Sequence, residues 1–161
     1  MPSVETVLPV LTALVGSGGF TIGLYSFVSP VSAARIYGIP VTPANEKIAV
    51  STTISKEEAY VYAHGSRNLA IGTSILGLSA FWRFSSICQL SPVAAQAVKR
   101  CVGITILAGS IVPSTDAYFI AQHVKQHGLS AQDVSTGKKS SRGHAARSLL
   151  WIAVAIACLI T

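Results

Sequence analysis

The chain alternates long apolar runs with shorter polar stretches, at a spacing that suits helices crossing a membrane. Thr6 to Val28 contains no charged residue. As a helix it would extend roughly 34 Å, enough for a hydrocarbon core of about 30 Å. A secretory leader is the competing reading. Against it, Met1 to Glu5 carry no Lys or Arg, and the apolar run continues past any early small-residue site. Gly16, Gly19 and Gly23 recur at spacings of three and four, a smooth stripe that lets another helix approach closely. A homodimer is one use of that stripe, and packing within one chain is another.

Ser29-Pro30 ends this run and has the chemistry to start a new turn, with Ser as cap and Pro in the first turn. Val31 to Tyr37 then lies along the interface until Gly38-Ile39-Pro40 breaks it, and Pro40 to Ser55 reads as a loop. A second helix starts near Lys56 to Tyr60 and runs to about Phe84. Leu69 to Trp82 is uncharged, whereas the first turns carry His64, Arg67 and Asn68. Arg83 to Pro92 is a connection, with Trp82 and Phe84 suited to the opposite interface. The third helix carries Lys99 and Arg100 early and Asp116 deep towards its end. Pro113 inside it should bend it and free a carbonyl about one turn upstream. Gln126 to Gly143 reads as a polar connection. The last helix is barely long enough to span unless His144 and Arg147 snorkel at the interface. The expected fold is all-α, a single integral membrane four-helix bundle with helices at about 6–28, 58–84, 93–123 and 143–161.

Composition agrees. Half of the 161 residues are hydrophobic, 11% are charged, and mean hydropathy is +0.55. A soluble domain carries about a quarter charged residues, so this chain would have too little polar surface to cover itself in water. The net charge of +6 sits mostly in the loops, where headgroup-facing cations belong. No basic stripe interleaved with aromatics is present, so nucleic acid is not an expected partner. Cys88, Cys101 and Cys158 have neither metal-type spacing nor an even number for a disulfide framework, and read as buried apolar thiols.

Four crossings place both termini on one side, with the loop carrying Arg83, Lys99 and Arg100. The opposite side holds Arg35, Lys47, Lys56, Lys125, Lys138, Lys139 and Arg142, and by the positive-inside rule it is cytosolic. Glu46, Glu57 and Glu58 in the first loop temper that bias.

The polar residues gather at this same cytosolic end. Tyr60, His64, Arg67 and Asn68 share one helix face by i, i+4, i+7 and i+8, and Asp116, Ile120, His123 and His127 share another. An ionised side chain facing lipid costs at least a few kcal/mol, so both faces should turn inwards. Asp116 then has two cationic candidates, Arg67 and Arg147. With His64 and His123 it forms an expected acid/base set, while Tyr60, Asn68, His144 and Arg147 contact substrate. Taken alone, His144 and Arg147 read as interface anchors, and Lys125 and His127 as solvated. The competing account is structural: one Asp–Arg pair and a few histidines fixing helix register without chemistry.

Other chemistries find less support. His123 and His127 have the i, i+4 spacing of two ligands on one helix, with Asp116 or His64 as a third. The intervening Val124, Lys125 and Gln126 lack the glutamate of a metalloprotease helix and add a lysine, so no metal is expected. The cysteines fall at the wrong end for a nucleophile. Ser66, Ser110 and Ser114 have no nucleophile-elbow motif. No glycine fingerprint follows a strand and Gly137-Lys138 is not a phosphate loop, so no cofactor is expected.

The strings ARIYGIP (34–40), YVYAHGSRNLAIG (60–72), LAGSIVPSTDAYFIAQHVKQHG (107–128) and GHAARSLLWIAVA (143–155) occur in that order. In them the chain resembles a family of small, uncharacterised four-helix integral membrane proteins common in fungi. That family's G-x-R-[DN] step is matched by Gly65, Arg67 and Asn68, its P-x-x-D-A step by Pro113, Asp116 and Ala117, and its Gly-His step by Gly143 and His144. Asn68, where the family often has Asp, departs from the pattern and leaves the carboxylate work to Asp116. The resemblance implies a place beside secondary-metabolite biosynthesis, with polyketides or terpenoids as ligands. It brings no established mechanism, and the likeness to membrane-embedded sterol isomerases and terpenoid cyclases is architectural only.

The expected function is therefore a cofactor-free isomerase or cyclase acting on a hydrophobic small molecule. It would lie in the endoplasmic reticulum membrane, with its polar site towards the cytosol. The alternative is a non-catalytic membrane scaffold or lipid-binding accessory protein.

Overall fold

A computed structural model describes residues 4–37, 56–123, 125 and 131–161. These residues are all-α and contain no strand. Six helices follow one another: α1 (Val4–Val28), α2 (Pro30–Ile36), α3 (Lys56–Phe84), α4 (Ser86–Leu90), α5 (Pro92–His123) and α6 (Ala131–Ile160). Four were expected. The two additions are short, α2 having 7 residues and α4 having 5, and both begin at the local signals available to them. Pro30 opens α2 behind Ser29, and the Ser85 side chain accepts from the Ile87 N–H at the start of α4. The expected break at 38–40 and loop at 40–55 lie outside the described residues.

A second correction concerns α6. It begins at Ala131, so most of the stretch expected to be a polar connection is helical. Apolar periodicity does not hold it there; side-chain bonds do. Ser140 donates to the Ile36 carbonyl at 3.1 Å and Ser141 to the Ala117 carbonyl at 2.9 Å, fastening this extension to α2 and α5.

The long helices pack as two intimate pairs, α1 on α3 and α5 on α6, joined chiefly through α3 and α5. The glycine stripe makes the first pair. A Cβ built on Gly23 would lie 2.5 Å from the Leu69 backbone nitrogen, and one on Gly72 would strike the Phe20 backbone. Only hydrogen at these positions lets the two backbones meet. The stripe is thus used within one chain and does not by itself speak for a dimer. Leu8, Val15, Ile75, Val102, Ile106, Val154 and Cys158 fill the interior between the pairs. Hydroxyls inside the bundle bond across it, Ser79 to Thr12 at 3.0 Å and Ser114 with Ser148.

Outside, the molecule is apolar. Three helices, α1, α5 and α6, are long and apolar enough to cross a membrane, yet only 22–33% of their most apolar windows is buried. Exposed apolar surface on that scale indicates a membrane protein, with lipid as the natural covering. Cys88 and Cys158 are buried as expected, whereas Cys101 is exposed on α5.

Candidate functional site

The polar site forms where α2, packed on α1 and α3, meets α6 through the Ile36 carbonyl. Ala33 and Ala34 of α2 and its C-cap Tyr37 bury themselves against Val61 of α3 and Ile22 of α1. The Tyr37 hydroxyl meets Ser26 Oγ at 2.8 Å and accepts from Asn68 Nδ2 at 3.1 Å. One phenol therefore ties α1, α2 and α3 together. Gly65 provides the room, since a Cβ there would meet Ser26 Cβ at 2.5 Å.

Asp116 of α5 faces two imidazoles. His64 Nε2 of α3 lies 3.4 Å from Oδ1, and His144 Nδ1 of α6 lies 4.0 Å from Oδ2. Both histidines are buried, His64 at 4% and His144 at 3% exposure, while the Asp116 side chain retains 16%. The second nitrogen of each ring fixes its role. His144 Nε2 lies 3.2 Å from the Ile36 carbonyl. A carbonyl can only accept, so Nε2 carries the proton and Nδ1 turns its lone pair towards Asp116. His64 Nδ1 is buried and has no hydrogen-bond partner among the described residues. Of the two neutral tautomers of His64, only the one with its proton on Nε2 donates to Asp116. The other would leave a buried donor unsatisfied, at about 1–3 kcal/mol. His64 is thus a donor that orients Asp116, while His144 presents an acceptor to it.

A small cavity of about 30 Å³ opens beside this cluster. That is room for about two water molecules. Asp116, His144, Arg147, Asn68, Tyr37 and Trp151 line it, and Pro113 and Gly19 form part of its wall. The ring of Tyr60, itself exposed, lies 4.2 Å from the His64 ring, and Tyr37 packs on the same imidazole at 5.2 Å.

The sequence expectations fare unevenly. His64, Asp116, Asn68, Arg147, His144 and Tyr60 do assemble at one end. Arg67 does not join them: it is exposed on α3, and the groups that face the Asp116 carboxylate among the described residues are the two imidazoles. His144 is no interface anchor but a buried member of the cluster. His123 ends α5, and its side chain, like all of His127, lies outside the described residues. Tyr37, Ser26, Ser140 and the Ile36 carbonyl were not anticipated. The available signal was Tyr37, one buried-capable aromatic just before a Gly-Ile-Pro break. Among the described residues no group of three His, Cys, Asp or Glu side chains could hold a metal ion.

A family model described as Domain of unknown function (DUF4267) matches residues 16–158. The chain belongs to that family. No curated protein and no solved structure matches it. In this DUF4267 chain the matched region takes in α2, α3, α5 and most of α6 and, with them, every residue of the cluster.

Proposed function

We propose that the chain is a membrane-embedded, cofactor-free isomerase or cyclase that acts by acid/base chemistry on a lipophilic small molecule. The observation that carries this reading is the carboxylate of Asp116 held between two buried histidines, on the wall of a cavity it shares with Arg147 and Asn68. Intramembrane ionisable groups are rare, and three of them converging is costly unless used. Asp116 Oδ2 and His144 Nδ1, both acceptors in their resting forms, stand 4.0 Å apart, so either can take a proton from a substrate carbon and, once protonated, return it to another. That pair is the proton donor and acceptor. Taking a proton from one substrate carbon and returning it to another moves a double bond with no net redox change, which needs no cofactor. His64 positions Asp116 from behind. Arg147 and Asn68 offer donors to a substrate oxygen, and Tyr60 covers the outer face of His64.

In this reading α3 crosses the membrane with α1, α5 and α6, its charged first turns shielded by its neighbours, and the site opens towards the cytosol of the endoplasmic reticulum. Exposed Arg35, Lys138, Lys139 and Arg142 at the same end support that orientation. The resemblance to fungal membrane proteins supports a polyketide or terpenoid substrate from secondary metabolism.

The second reading is a non-catalytic scaffold or lipid-binding accessory protein, and two observations favour it. The cavity is far smaller than the few hundred Å³ that a drug-sized ligand fills, so a substrate must part the helices to enter. His144 also fastens α2 to α6 through Ile36, which is a structural task. Deleting the gene and complementing it with wild-type or Asp116→Asn protein separates the two. An enzyme accumulates one precursor in both the deletion and the Asp116→Asn strain; a scaffold restores the product with either protein.

A further inference from the structure

The opposite end of the molecule holds a second feature that the acid/base site does not use. An open groove of about 510 Å³ lies where the start of α1, the end of α3, α4, the start of α5 and the end of α6 come together. Two cations line it, Arg83 and Lys99, with the amides of Gln89 and Gln96 and the indole of Trp82. No carboxylate side chain is among its described lining residues. The Arg83 guanidinium lies 5.8 Å from the centroid of the Phe84 ring, a cation–π distance that steadies it at the groove mouth.

The lip of this groove has the opposite character. Phe84, Ile87, Leu90 and Val93, on and around the short helix α4, are 75%, 60%, 85% and 80% exposed. Side chains of that kind are stable in acyl chains and unstable in water. A cationic, amide-rich groove with Trp82 in its wall, beside bare apolar side chains on the same stretch of chain, has the polarity profile of one half of a lipid bilayer.

We infer that this groove is a binding site for an anionic glycerophospholipid, its phosphate held by Arg83 and Lys99 and its acyl chains lying along α4. Gln89 and Gln96 give the headgroup and glycerol oxygens neutral donors. The site is independent of the Asp116 cluster, at the other end of the bundle.

Native mass spectrometry of the full chain released from detergent micelles tests it, with dioleoyl phosphatidic acid, dioleoyl phosphatidylcholine and inorganic phosphate as probes. Wild type should retain one phosphatidic acid in clear preference to phosphatidylcholine. Replacing both cations, Arg83→Gln with Lys99→Gln, should lower retention roughly 10- to 30-fold. The charge-keeping pair Arg83→Lys with Lys99→Arg should retain the lipid, and so should Arg142→Gln at the other end. The single Gln variants, each with an intermediate loss, carry the test if the double variant does not fold. Retention unchanged in the double Gln variant overturns the site. An equal loss with Arg142→Gln overturns it in favour of diffuse charge. Full displacement of the lipid by inorganic phosphate overturns the lipid as ligand.

Discussion

Asp116 and His144 lie 4.0 Å apart on neighbouring helices, and the far nitrogen of His144 is bonded to the backbone of a third. The same imidazole therefore serves packing and, in the proposed function, proton exchange. Substitution can part the two. Glutamine at 144 can still donate an N–H to the Ile36 carbonyl but cannot exchange a proton with Asp116. His144→Gln should keep the melting temperature within a few degrees, because at most one hydrogen bond worth about 1 kcal/mol is altered, and should abolish turnover. His144→Phe should lose both. Thermal denaturation in detergent, run beside product formation, reads the difference.

Arg67 supplies the contrasting case. It is exposed and unpaired with Asp116, so Arg67→Gln should leave stability and product yield unchanged. A loss of product equal to that of Asp116→Asn would mean that Arg67 reaches the substrate after all.

Arg67 also shows why the site was only partly legible. Consecutive residues point about 100° apart around a helix, so Arg67 and Asn68 cannot both face one narrow seam. Spacing alone identified a polar face at 60–68 and could not say which edge of it met α5. The choice fell to Gly65 and Ser26, whose close approach fixes the rotation of α3 against α1. The three helices apolar enough to span, α1, α5 and α6, were readable because lipid imposes a long apolar run. The start of α6 was not, because it rests on two serine hydroxyls bonding to carbonyls distant in sequence, and no periodic pattern marks such bonds. His144 looked like an anchor for a similar reason: its partner is the backbone of Ile36, and any residue at 36 would offer the same carbonyl.

The packing of α1 on α3 makes a paired prediction. Gly23→Ala places a methyl against the Leu69 backbone, which cannot yield as a flexible side chain would, whereas Gly18 has nothing within 4 Å of an added Cβ. Gly23→Ala should destabilise by about 1–3 kcal/mol, and Gly18→Ala should stay within about 0.5 kcal/mol of wild type. Denaturant titration in micelles measures both. Equal effects would mean that α1 and α3 do not approach in this way.

Tyr37→Phe removes the hydroxyl shared by Ser26 and Asn68 while keeping the ring against His64. The expected cost is about 1 kcal/mol, because Ser26 still donates to the Ile22 carbonyl and Asn68 is only half-buried. Product formation should persist, since the phenol positions helices and exchanges no proton with Asp116.

The proposed topology, in which α5 crosses the membrane, places Gln89 and Lys139 on opposite sides of it. In a cysteine-free background, Gln89→Cys and Lys139→Cys should therefore react with an impermeant maleimide from opposite faces of sealed vesicles. Labelling of both from the same face would take α5, the helix between them, out of the membrane and with it the proposed topology.

The central claim is that Asp116 moves a proton on a lipophilic substrate. Its most direct test is solvent isotope incorporation. Membranes holding wild-type or Asp116→Asn protein at matched levels are incubated in deuterium oxide with the precursor that accumulates in the deletion strain, and the product is examined by mass spectrometry. The account predicts a product carrying solvent deuterium with wild type and unconverted precursor with Asp116→Asn. Full conversion by Asp116→Asn would contradict it and leave the Asp116 cluster as the joint that holds α2, α3, α5 and α6 together.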